Sequence, residues 1–143
     1  MNAQLLGLLT LLATRRHVAA YVGLNGWLPS AAQIASKASS PNPETLDYFL
    51  GDILDIHPHE MPLFQATEIA ISLAHTTDDE VIDVELGRQA RDVLVHRLWY
   101  KRLVWHEEQE GGHLGMLTTK GLDWIGGCLK SIVEGDDNEM DCT

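Results

Sequence analysis

Ala66-Thr67-Glu68-Ile69-Ala70-Ile71-Ser72-Leu73-Ala74-His75-Thr76-Thr77-Asp78-Asp79 is the stretch on which the reading of this chain turns. Ala66, Ile69, Ala70, Leu73 and Ala74 fall at i, i+3, i+4, i+7 and i+8, the spacing of one helical face. The pattern predicts a helix that ends near Thr76-Thr77. Asp78, Asp79 and Glu80 then open a further helix, where negative charge complements the positive end of the macrodipole.

The same periodicity recurs upstream. Leu46, Phe49, Leu50, Ile53 and Leu54 repeat it over residues 44–56, while Glu44, Asp47, Asp52 and Asp55 take the opposite side. Asn2 to about Val22 reads as a Leu-rich helix, apolar on nearly every side and stopped by Gly23 and Gly26. Ser30 is a candidate N-cap for a second helix with Ala31, Ile34, Ala35 and Ala38 inward. Pro41 and Pro43 mark a turn, and the residues from His57 to Pro62 a loop.

Downstream, a helix is expected over about residues 80–104, with Gly87 as a break point. Trp105 to Glu108 and His113 to Leu117 read as two strands of a hairpin about Glu110-Gly111-Gly112. Thr118-Thr119 can cap a last helix reaching Val133, and residues 135–143 read as a disordered acidic tail. The expected fold is mainly α: a helical bundle with helix-turn-helix elements and one C-terminal β-hairpin. It divides into an N-terminal helical half, 1–62, a second half, 63–134, and the tail.

Charge bounds the partners. Between Lys37 and Arg88 there is no Lys or Arg, while eleven carboxylates occur, as many as the formal net charge of −11. Such a field repels phosphate backbones and anionic membranes and attracts basic proteins. Two cysteines, Cys128 and Cys142, suit a cytoplasmic location better than a disulfide-stapled secreted domain. The apolar run Leu5–Ala13 precedes Arg15 and Arg16, the wrong order for a signal peptide, and is far shorter than the roughly 20 residues a membrane span needs.

Residues 91–104, then the hairpin, then Leu117-Thr118-Thr119-Lys120-Gly121 resemble the recognition helix, wing and following helix of winged-helix regulators of the MarR and PadR kind. Ala32-Gln33-Ile34-Ala35 with Pro43-Glu44-Thr45-Leu46 is similar to a helix-turn-helix. That resemblance implies DNA reading through Arg88, Gln89 and Arg91 in a dimer joined by residues 2–22. The acidic wing, Glu107, Glu108 and Glu110, departs from the family, since it would repel the backbone it should grip. In size, helicity and charge the chain also resembles small acidic phage and plasmid inhibitors of the anti-CRISPR and anti-restriction type, which act as DNA mimics.

The leading expectation is therefore a non-enzymatic protein-binding module that docks on a basic surface through Glu44, Asp47, Asp52, Asp55, Glu107, Glu108 and Glu110. The alternative is the winged-helix regulator. No Gly-x-Ser-x-Gly elbow, phosphate loop or paired metal motif is present, so neither an enzyme nor a cofactor is expected. His57-x-His59-Glu60 lacks a second ligand pair, so no metal is assigned there. Trp99, Trp105 and Trp124 are expected to fill the core beside the hairpin.

Overall fold

A computed structural model describes residues 3–14, 18–42, 44–54 and 68–134. In chain order the elements are α1 (Ala3–Thr14), β1 (Ala20–Leu24), α2 (Ala31–Ala38), α3 (Glu44–Leu54), β2 (Ala70–Thr76), α4 (Val84–His96), β3 (Leu103–Glu108), a 3-10 turn (Gly112–Leu117) and α5 (Thr119–Glu134). The three strands form one parallel sheet in the order β1-β2-β3. Ala20 pairs with Ala70 and Ile71 with Leu103, so strands from both sides of residue 62 share the sheet.

This corrects the expected mainly-α bundle with a hairpin. Of the stretch read as a fourth helix, Ala70–Thr76 is β2, the central strand. All seven of its residues are buried. A parallel strand covered on both faces loses the in-out alternation that marks a surface strand. Its apolar positions then fit a helical wheel by coincidence. Of the presumed first helix, Ala3–Thr14 is α1, while Ala20 to Val22 belong to β1. Residues 103–108 do form a strand, but its partner is β2, in parallel, and 113–117 lie in the 3-10 turn rather than in a returning strand.

Alternate residues of β2 serve two cores, as strand geometry requires. Ile71 and Leu73 join Leu8, Leu12, Ile34, Leu50 and Leu94 in the larger cluster, beneath α1 to α4. Ala74 joins Met116, Trp124 and Cys128 in a smaller cluster, beneath the 3-10 turn and α5. The architecture is helix layer, sheet, helix layer.

Local chemistry sets the edges of the helices. Asp83 caps α4, its Oδ1 accepting from the Glu85 N–H at 2.9 Å. Gly87 does not break that helix. A Cβ there would lie 2.5 Å from His75 Nδ1 and 2.9 Å from the Trp105 ring, so glycine lets α4 close on the sheet. Trp124 and part of Trp105 are covered as expected, whereas Trp99 sits at φ 60 and is 71 % exposed. Among the described residues no helix is long and apolar enough to cross a membrane.

Candidate active site

The three strands run the same way, so their carboxyl ends and the loops that follow lie along one edge of the sheet. In open α/β sheets that edge is where ligands bind. Asn25 follows β1, Asp79 follows β2, and the turn carrying His113 follows β3.

Asp79 is fixed from both oxygens. Its Oδ1 accepts the backbone N–H groups of Val81 at 2.8 Å and Ile82 at 2.9 Å. Its Oδ2 lies 2.9 Å from His113 Nδ1 and 3.0 Å from Asn25 Nδ2, and the carboxylate side chain has no solvent exposure. Burial raises its pKa, but the hydrogen bonds from Ile82, His113 and Val81 outweigh burial and leave it below the ordinary carboxylate range. A carboxylate in that state can only accept, so the His113 proton at this contact sits on Nδ1 and Nε2 is left as the basic nitrogen. The His113 side chain is 28 % exposed, and no hydrogen bond to its Nε2 occurs among the described residues.

Asp78, the neighbouring carboxylate, places the backbone that carries the imidazole. It accepts from the Gly111 N–H at 3.0 Å and the Gly112 N–H at 2.9 Å, and these bonds lower its pKa. Gly111 and Gly112 have φ of 131° and 61°, values that favour glycine, and they turn the chain from β3 into the His113 segment. Thr76 Oγ1 donates to the Gly112 carbonyl at 2.5 Å. Gly115 lets the turn approach β2, since a Cβ there would lie 2.7 Å from Thr76 Cγ2.

His75, on β2, is buried behind Asp79. Its Nε2 lies 2.9 Å from the Ile82 carbonyl and 3.5 Å from Asp79 Oδ2, and the carbonyl requires the proton on Nε2. Its Nδ1 is then a buried acceptor without a hydrogen-bond partner.

The residues expected to bind a partner lie on α3, on β3 and in the turn after it. Glu44 and Asp52 are exposed on α3 and Asp47 is half-buried; Asp55 lies outside the described residues. Glu107 is held by Arg88, two contacts at 2.7 Å, and by Trp105 Nε1 at 2.9 Å. Glu108 pairs with Lys120 at 2.7 Å, while Glu110 is exposed. Of the DNA-reading alternative, Arg88 is bound by Glu107 and Glu85, and Arg91 pairs with Asp92 at 2.7 Å over the Trp105 ring. Gln89 is exposed on α4. His57, His59 and Glu60 lie outside the described residues, and no group of three metal-binding side chains occurs among those described.

Asp79 and His113 were both missed at the sequence level. An apolar run ending in Thr76-Thr77-Asp78-Asp79, followed later by a His just after two glycines, was the available signal: a strand, an acid in the loop beyond it, and an imidazole on a tight turn.

No protein-family model matches the chain. It is 28 % identical over 121 residues to acyl-protein thioesterase 1 of Yarrowia lipolytica, covering 85 % of this chain and 40 % of that protein. Its structure resembles that of acyl-protein thioesterase 2 of Zea mays, with TM-score 0.58, 19 % identity, and 82 % of this chain and 42 % of that one covered. It also resembles a point variant of SOBER1 of Arabidopsis thaliana, with TM-score 0.62, 20 % identity, and 91 % and 49 % covered. The chain thus spans less than half the length of each.

These findings overturn the winged-helix resemblance and the regulator reading that rested on it. They equally overturn the non-enzymatic inhibitor of the anti-CRISPR, phage or DNA-mimic kind, since the curated relative is a thioesterase by name. The charge and size that suggested an inhibitor carry no information about topology, and the supposed recognition helix and wing are α4 and β3 of a parallel sheet. The chain carries part of an α/β-hydrolase fold.

Proposed function

We propose that this chain supplies the acid and the base of an acyl-transfer hydrolase that cleaves acyl thioesters, with His113 as general base and Asp79 as the carboxylate that orients it. One observation carries the reading: a fully buried Asp79 Oδ2 lies 2.9 Å from Nδ1 of a part-exposed histidine, at the carboxyl ends of parallel strands. The order acid before base along the chain is that of α/β-hydrolases, in which the nucleophile precedes both. The 143 residues contain no Gly-x-Ser-x-Gly, so the nucleophilic hydroxyl is assigned to a separate segment.

In this scheme His113 Nε2 takes the hydroxyl proton as the oxygen attacks the acyl carbonyl. Asp79 stabilises the imidazolium that results. The proton then passes to the leaving sulfur as the C–S bond breaks, and the same ring activates the water that releases the acid. Leu114 and Leu117, 66 % and 56 % exposed on the His113 turn, offer apolar contact to an acyl chain. The net charge of −11 favours acyl groups carried on basic proteins, and a cytoplasmic location suits that substrate class.

The test is thiol release from an S-octanoyl cysteine peptide by the protein with its nucleophile in place. Asp79→Asn should lower kcat about 10,000-fold, as loss of the orienting carboxylate does in catalytic triads. His113→Ala should lower it at least as far. Turnover equal to the parent's in either folded variant would overturn the assignment.

A further inference from the structure

Asn25 is a buried, heavily bonded polar side chain, yet it belongs to neither the acid nor the base. It is 1 % exposed and follows the last residue of β1. Its backbone N–H donates to the Ala74 carbonyl at 2.8 Å, which fastens the end of β1 to β2. Its Oδ1 accepts the Thr76 N–H at 3.2 Å. Its Nδ2 faces four acceptors: Thr76 Oγ1 at 2.8 Å, His113 O at 2.9 Å, Asp79 Oδ2 at 3.0 Å and Gly112 O at 3.2 Å.

An amide carries two N–H groups, so four acceptors must share them. The chemistry of the cluster explains why a neutral donor stands there. Asp79 Oδ2, the Gly112 carbonyl and the His113 carbonyl all present lone pairs to the same small volume. Without a donor between them these acceptors would face one another at short range, and Thr76 Oγ1 and His113 Nδ1, which reach Gly112 O and Asp79 Oδ2, would be left to offset that repulsion alone. A lysine would supply donors but also a buried positive charge competing with His113 for Asp79. A neutral amide satisfies the cluster without that competition.

From this geometry we infer that Asn25 is a positioning residue, whose amide holds the Asp79 carboxylate and the His113 backbone in the one arrangement that keeps the imidazole on Asp79. The oxygen Asn25 binds is the same oxygen that meets His113 Nδ1. The carbonyl it binds belongs to His113 itself. The amide therefore fixes both ends of the contact at once, and its removal frees the ring to turn away from the carboxylate.

The inference rests on the proposed pairing of Asp79 with His113, but its test needs no substrate. Asn25 has φ 48, so Asn25→Gly removes the amide without adding backbone strain. Asn25→Ser keeps one donor on a shorter arm. The measurement is the His113 ring by proton–nitrogen correlation spectroscopy on the 143-residue chain, with backbone amide spectra showing that each variant is folded. The parent should show one neutral tautomer with a slowly exchanging Nδ1–H.

In Asn25→Gly the ring should populate both tautomers, and Nδ1–H should exchange with water about tenfold faster, the effect of losing roughly one hydrogen bond's worth of restraint. Asn25→Ser should lie between. A purely structural role would lower the thermal midpoint yet leave the ring signals of folded molecules unchanged. That outcome, or failure of both variants to fold, overturns the positioning role. The expected ring signature, together with no thioester turnover by the protein with its nucleophile in place, would instead sink the proposed hydrolase activity alone.

Discussion

Gly111 and Gly112 show how differently two adjacent residues of one type can be constrained. Both have positive φ, but a Cβ on Gly111 would lie 2.6 Å from the Gly115 Cα, whereas one on Gly112 would meet nothing within 4 Å. Backbone cannot yield as a flexible side chain can. Gly112→Ala should therefore cost only the left-handed penalty, roughly 1–2 kcal/mol, while Gly111→Ala should cost more and displace His113. Denaturant unfolding of the two variants checks the order, and equal midpoints would refute it. Asp79 was visible in the sequence, but a carboxylate after an apolar run suits a helix N-terminus as well as a loop beyond a strand. Only the imidazole 34 residues later distinguishes them, and that contact is not local. Asn25 gave no signal at all, because its role depends on three segments meeting.

Between elements, α4 is joined to β3 by the two contacts of Arg88 with Glu107. The hydrogen bonds from Arg88, with help from Trp105 and against partial burial, hold the Glu107 carboxyl at about 2, down from 4.5. A depressed folded-state pKa contributes stability that is fully present above the unfolded value and is lost as pH falls toward the folded one. The join should thus weaken between about pH 4.5 and 2. Glu107→Gln should destabilise the protein by about 1 kcal/mol at neutral pH, with allowance for solvent screening of a part-exposed pair. The difference from the parent should vanish near pH 2. Thermal midpoints across that range decide it; a gap independent of pH would mean that packing, not charge, holds the join. The helices α2, α3 and α5 were legible because each has one covered face and one wet face. β1 and β2 were not: β2 is covered on both sides and β1 is half-covered along most of its length, so neither shows a period of two, and small residues such as Ala70 and Ala74 are at home in either element.

For the molecule as a whole, net charge survives the change of fold. Duplex DNA should not be retained at about 0.15 M salt, where local charges still act over a Debye length near 8 Å. A mobility shift in the micromolar range would show that α4 keeps accessible cations despite its ion pairs. Composition thus predicted a sign of charge, and hydrophobic content predicted a core, but topology was out of reach because parallel pairing joins residues about fifty positions apart, as Ala20 and Ala70 are.

The parallel sheet has a further consequence. Asn25, Asp79 and His113 lie past Leu24, Thr76 and Glu108, at one end of the strands. The opposite end, where β1, β2 and β3 begin at Ala20, Ala70 and Leu103, carries an exposed Lys101–Glu68 pair and none of that chemistry. The two ends can diverge independently. A short linker or a label grafted beside Lys101 leaves the candidate site untouched, which makes that end the natural handle for immobilising or tagging the protein, and the place where lineages can lengthen a loop without altering the other end.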